Sequence, residues 1–215
     1  MIEPIPPDAR RLTVAVRRLP RWLDGFADRH GGLTTEAGPD QVQVTASDGS
    51  RVWIEVPFGP WPAPSSRTLT ALQLHLTKDR LIGVLLVRRG GYAAGVFDGD
   101  RLLSSKVGAG YVQGGTKAGG WSQQRFARRR DNQARAAFAE AAEVAVRILL
   151  PYQDKLEALV CGGDRAAVAA ALTEPRLAPL LDLRVEPFLA VPDPRLRVLQ
   201  ATPEQFRTVR LAIHP

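Results

Sequence analysis

With Cys161 as its one cysteine, the chain can form no internal disulfide framework and no thiolate metal cluster. Its three histidines, His30, His75 and His214, stand far apart and lack metal-ligand spacing, so no metal and no cofactor is expected. Long apolar runs are missing too: nothing approaches the ~18 consecutive apolar residues of a membrane span. The opening MIEPIPPDARR has no apolar core that could act as a signal peptide. The expected compartment is the cytoplasm, with no membrane partner. Acid is scarce relative to base, with 22 Asp and Glu against 29 Lys and Arg, a net charge of +7 and a pI near 10.3. That balance makes nucleic acid, or an assembly rich in it, the first partner to test.

What is present is an ordinary globular composition over 215 residues, 45% hydrophobic and 24% charged, enough for one large or two small domains. Residues 1–60 read as a small strand–helix–hairpin unit. In RLTVAVRRL, Leu12, Val14 and Val16 alternate as in a half-buried strand. PRWLDGFADRHGG follows with Pro20 as opener, Trp22, Leu23 and Phe26 at helical spacing, and a glycine pair as the stop. QVQVTA and RVWIEVPF are alternating, β-branched runs joined by Ser47-Asp48-Gly49-Ser50, a hairpin signal. Trp22, Trp53 and Phe58 are expected in the core.

GPWPAPSS, residues 59–66, is the expected connector, and residues 67–215 the expected second domain. IGVLLVRR is almost continuously apolar, as in a strand covered on both faces. Asp98-Gly99-Asp100 joins two further strands as a tight hairpin. After residue 150, KLEALVCGG and LRVEPFLAV read as strands, DRAAVAAALT as a helix capped by Asp164, and VRLAIH as a terminal strand. Strands alternating with helices make this half α/β with a mixed sheet.

The densest chemistry lies in 108–150. Six glycines fall between Gly108 and Trp121 and leave little preference for a regular element. A helical pattern then runs from Ser122, its expected N-cap, to residue 150, before Pro151 stops it. Phe126, Ala134, Phe138, Ala141, Ala145 and Ile148 form its apolar stripe. Between Lys117 and Arg135 there are six Lys/Arg against one acid, Asp131. Lys117, Arg125, Arg128, Arg129 and Arg135 are the candidate RNA-binding cations.

Two phosphate-loop readings fail here. Gly110 to Gly115 has a Walker gap, but Thr116-Lys117 follows where Lys-Ser/Thr is required. Gly108-x-Gly110-x-x-Gln113 lacks the third glycine of a dinucleotide fingerprint. No Ser/His/Asp set is visible. Cys161, in an apolar setting, reads as structural, and Asp98, Asp100 and Asp164 as turn and cap residues. Glutamine remains: Gln113, Gln123 and Gln124 bracket the loop, and an amide can orient a water although it is no general base.

GGWSQQRFARRRDNQARAAFAEAAE, residues 119–143, resembles the segment that follows the Gly-Gly-Gln tip in the middle domain of eukaryotic and archaeal class-one release factors. Gly119, Gly120, Ser122 and the run Arg125-Phe126-Ala127-Arg128-Arg129-Arg130 match, while Trp121 stands where that tip has glutamine. The chain is more similar to the Vms-like release factors, in particular their actinobacterial branch, where the catalytic glutamine lies in Gly-x-x-Gln. Gly110-Tyr111-Val112-Gln113 and Gly120-Trp121-Ser122-Gln123 both fit that pattern. Gln113 is favoured because it is central in the loop, whereas Gln123 falls in the first helical turn. The resemblance, which says nothing about residues 1–60, implies an RNase H-like α/β core; the small α+β unit read from the residues precedes it. The resemblance further implies a ribosome partner, contacts to peptidyl-tRNA and rRNA, and hydrolysis of the peptidyl-tRNA ester in ribosome rescue. Gln113 or Gln123 would then be catalytic, with Gly110, Gly114, Gly115, Gly119 and Gly120 building the catalytic loop 108–121. The alternative is a ribosome- or RNA-binding protein of the same architecture without catalysis.

Overall fold

The computed structural model describes residues 2–59, 61–62, 66–109 and 122–215, with the side chains of 122–134 outside the description. In chain order the first elements are β1 (Arg10–Ala15), α1 (Leu19–His30), β2 (Leu33–Ala37), β3 (Gln41–Ala46), β4 (Arg51–Glu55) and α2 (Thr68–Thr77). Then follow β5 (Leu81–Arg88), β6 (Gly91–Asp98), β7 (Arg101–Ala109), α3 (Ser122–Leu149), β8 (Ala158–Gly163) and α4 (Arg165–Ala171). The chain closes with β9 (Arg184–Leu189), α5 (Leu196–Gln200), α6 (Pro203–Phe206) and β10 (Thr208–His214). Short 3-10 segments occupy Val16–Arg18, Leu150–Tyr152 and Pro175–Leu183.

These elements form two units: residues 1–78 with 207–215, and residues 79–206. The expected division into 1–60 and 67–215 therefore shifts at both ends. α2 joins the first unit, and so does β10, which lies between β1 and β4 in the order β1-β10-β4-β3-β2. All neighbours in this sheet are antiparallel, with Leu12 opposite Leu211 and Leu211 opposite Ile54. β10 alternates as a half-buried strand should. Alternation fixes which face is inward but not which strand is the neighbour, hence the misplacement.

One face of the first sheet carries the core. Val14, Val42, Val44, Val52, Ile54 and Leu211 pack with Leu19, Leu23 and Phe26 of α1 and Leu72 and Leu76 of α2. α1 stops at Gly31, whose φ of +89° suits glycine and whose N–H donates to the Ala27 carbonyl at 2.8 Å. In the β3–β4 turn, Asp48 accepts from the Ser50 N–H at 2.9 Å and lies 2.7 Å from His30 Nδ1. Trp53 faces the other way, fully buried beneath the N-terminal segment with Ala9, Ala212, Ile2 and Ile5, its indole N–H donating to the Glu3 carbonyl. Of the three aromatics expected in the core, Trp53 is there. Trp22 is half-buried, stacked on Phe26, and Phe58 is half-buried in the turn after β4 with φ +57°.

The second unit holds a sheet of order β7-β6-β5-β8-β9. β5, β6 and β7 are antiparallel neighbours, whereas β5–β8 and β8–β9 are parallel. Only β6 thus runs against the other four, the RNase H-like arrangement. β5 and β6 are buried along nearly their whole length because helices cover both faces. On one face Leu85, Val87, Ala94, Val96 and Leu159 meet α3 and α4. On the other, Leu199 of α5 lies over Gly95, and Phe206 of α6 meets Phe97 edge-on at 5.9 Å.

Candidate functional site

The glycine-rich stretch leaves the sheet at the end of β7 and re-enters regular structure at the start of α3. Gly110, Gln113, Gly114, Gly115, Lys117, Gly119 and Gly120 lie outside the described residues. Gln123, Arg125, Arg128 and Arg129 belong to the first turns of α3, with side chains outside the description, and Arg135 is exposed. What the structure defines is the frame at each end of this stretch.

α3 has 28 residues, about 42 Å at 1.5 Å per residue. Its C-terminal part is fixed: Ala141, Ala142, Val144, Ala145, Ile148 and Leu149 are buried and Phe138 is half-buried against the sheet. The alanines let the helix backbone sit close on the flat strands. Leu149 ends the helix, and the 3-10 turn containing Pro151 follows.

The other end is fixed by Tyr92. Tyr92 on β6 sits opposite Gly108 on β7. Its ring covers Gly108 so closely that a Cβ there would lie 2.1 Å from ring atom Cζ. A Cβ on Gly91 would likewise meet the Gly108 carbonyl oxygen at 2.7 Å. Gly108 serves close approach rather than a special backbone angle, whereas Gly91 also has a φ of +159°. Tyr92 is buried in one cluster with Ala141, Ala142 and Ala145 of α3, and burial, followed by the nearby Glu140 carboxylate, pushes its pKa up to about 12. One tyrosine thereby links the last residues of β7 to α3. Sequence reasoning missed it, because Gly108 reads as the first glycine of the glycine-rich stretch rather than as a strand glycine that an aromatic across the strands can cover.

The other candidates have structural roles. Cys161 is buried, and desolvation pushes its thiol up to about 11, away from a thiolate at neutral pH. Asp98 faces Arg101 at 3.3 Å. Asp164 caps α4, accepting from the Ala166 and Ala167 N–H groups at 2.9 and 3.2 Å. Among the described residues no group of three or more His, Cys, Asp or Glu could hold a metal ion, and no helix is long and apolar enough to cross a membrane.

The second unit is thus an RNase H-like sheet whose third strand, β7, precedes the glycine-rich connection to the long helix α3. A family model described as the Actinobacteria/chloroflexi VLRF1 release factor matches residues 80–212, more than half of the chain, and the chain belongs to that family. The match begins where the second unit begins and runs into β10 of the first. Peptide chain release factor subunit 1 of Archaeoglobus fulgidus is 31% identical over 108 residues, 50% of this chain and 26% of that protein. The matched part is thus about a quarter of that relative's length. The crystal structure of an archaeal translation termination factor, aRF1, is similar with a TM-score of 0.42 and 19% identity, covering 86% of this chain and 55% of that one.

Proposed function

We propose that the protein is a peptidyl-tRNA hydrolase of release-factor type, acting on the ribosome in rescue of stalled translation. Membership of the release-factor family over residues 80–212, which contain the whole glycine-rich stretch, carries this reading. The packed end of α3 and the Tyr92 link support it, since a reaching loop needs rigid footings.

In this mechanism the Gln113 amide holds a water against the ester carbonyl carbon. The water oxygen bonds to that carbon, the ester C–O bond breaks, and a proton ends on the departing ribose oxygen. Backbone N–H groups of the loop, around Gly110, Gly114, Gly115, Gly119 and Gly120, stabilise the oxyanion. The ester is activated enough that placement and charge stabilisation suffice. Lys117, Arg125, Arg128, Arg129 and Arg135 hold rRNA and tRNA phosphates without reading sequence.

Gln113→Ala should slow peptide release from stalled complexes on the order of 10²-fold or more, while ribosome co-sedimentation stays near wild type. Release at the wild-type rate in that variant, with loss in Gln123→Ala, transfers the role to Gln123. Trp121 favours a second reading, a ribosome- or RNA-binding protein without catalysis. Salt-sensitive co-sedimentation with no release at any protein concentration would establish that one instead.

A further inference from the structure

The first unit's arginine-rich opening lies outside the family match at 80–212, and the reaction does not use it. Between Asp8 and Asp24 the chain carries Arg10, Arg11, Arg17, Arg18 and Arg21 and no acid. β1, the 3-10 turn Val16–Arg18 and α1 follow one another with hardly a break. Val14, Val16 and Leu19 turn into the core, Leu12 is half-buried, and all five arginines are exposed. β1 is an edge strand of its sheet, and from it the exposed arginines run on through the turn into the start of α1, along one margin of this unit.

None of the five has an ion-pair partner among the described residues. Two other arginines of the same unit are paired, Arg51 with Glu3 and Arg210 with Glu55 at 2.6 Å. Two ordinary explanations fall short. Charged side chains on an edge strand discourage pairing with another chain, which accounts for Arg10 and Arg11 but not for three arginines beyond the strand. Nor do the cations stabilise α1. Arg18 is at its N-cap without a capping bond, Arg21 lies in its first turn, and that turn has no acid. Positive side chains there oppose the positive end of the helix dipole. An arrangement unfavourable to its own helix is relieved by an external anion.

We propose that this margin of the first unit, Arg10, Arg11, Arg17, Arg18 and Arg21, is a docking surface for the phosphate backbone of RNA. All five cations are arginine, whose planar fork matches phosphate oxygens in pairs. A lipid surface fits less well, because the apolar residues of the segment are turned inward or half-buried and leave nothing to insert. The proposal does not depend on ester hydrolysis.

The test is binding of a fluorescein-labelled RNA hairpin by the full chain across a potassium chloride series. A triple variant, Arg11→Gln, Arg17→Gln and Arg18→Gln, is compared with a control of equal charge loss in the same unit, Arg29→Gln, Arg51→Gln and Arg210→Gln. Each lost phosphate contact flattens the log affinity against log salt slope by about 0.7 to 0.9. The triple variant should therefore lose about 2 units of slope, and the control less than about one. Thermal melts check that both variants fold. Equal slopes in the triple variant and wild type, or equal losses in variant and control, overturn the proposal. Displacement by polyglutamate at the same charge concentration as unlabelled RNA also overturns it, in favour of an acidic protein partner. A chain that releases no peptide yet loses slope only in the triple variant removes hydrolysis and leaves this surface standing. Normal release with an unchanged slope does the reverse.

Discussion

The two units bury their sheets differently, and the difference decides where each can do work. In the second unit helices pack on both faces of β5 and β6, so these central strands offer no surface to a partner. The proposed reaction accordingly draws on a connection, the passage from β7 to α3. In the first unit one face carries the core and the other is only partly covered, around Trp53. Its open edge is left for charge: Arg10 and Arg11 lie on the edge strand β1, and Arg17, Arg18 and Arg21 on the turn and helix that continue from it. A sheet covered on both sides becomes a platform for loops, whereas one covered on a single side can itself be a surface.

Core truncation tests the contrast most severely. Trp53→Ala should cost about 3 to 5 kcal/mol, as large as a core loss, if the N-terminal segment makes a true second layer over that face. Urea unfolding that shows under about 1 kcal/mol would mean that the face is effectively open, and would sharpen the contrast. Next in size, Gly108→Ala drives a methyl into the Tyr92 ring and should cost about 1 to 3 kcal/mol by overpacking. A neutral result would show that β7 can move off β6 freely, which would remove the rigid footing from the second unit.

The smallest effect is a pH dependence at the same place. The folded pKa of Tyr92 is raised, to about 12, so the neutral phenol is favoured in the folded state. Its contribution is complete below the unfolded value near 10 and is lost as pH rises from about 10 to about 12. Denaturation followed over that range should show a falling stability that Tyr92→Phe flattens. An unaltered fall in Tyr92→Phe would assign it to other groups.

Much of this was legible from short-range chemistry. The turn at Ser47–Ser50, the Asp98-Gly99-Asp100 hairpin, the Asp164 cap and the end of α3 before Pro151 all follow from residues within a few positions of one another. The nearly unbroken IGVLLV announced a doubly covered strand. α2 was not legible. Leu72, Leu74 and Leu76 alternate like a strand, Leu74 is exposed, and the N-cap is Arg67 in the left-handed region without a side-chain bond. Tyr92 was illegible for another reason: it acts on Gly108, sixteen positions away, and on Glu140, far beyond that.

The sequence by itself determined the local elements, their inward and outward faces, the basic character and the glycine-rich passage into a long helix. It also carried the family resemblance, because the segment at 119–143 is contiguous. Tertiary structure alone decided that β10 returns to lie between β1 and β4, that Tyr92 packs the β7 end against α3, and that five arginines are exposed without ion-pair partners among the described residues. Strand pairing and charge pairing join residues distant in the chain. Periodicity gives each residue a face, and only the folded chain gives it a neighbour.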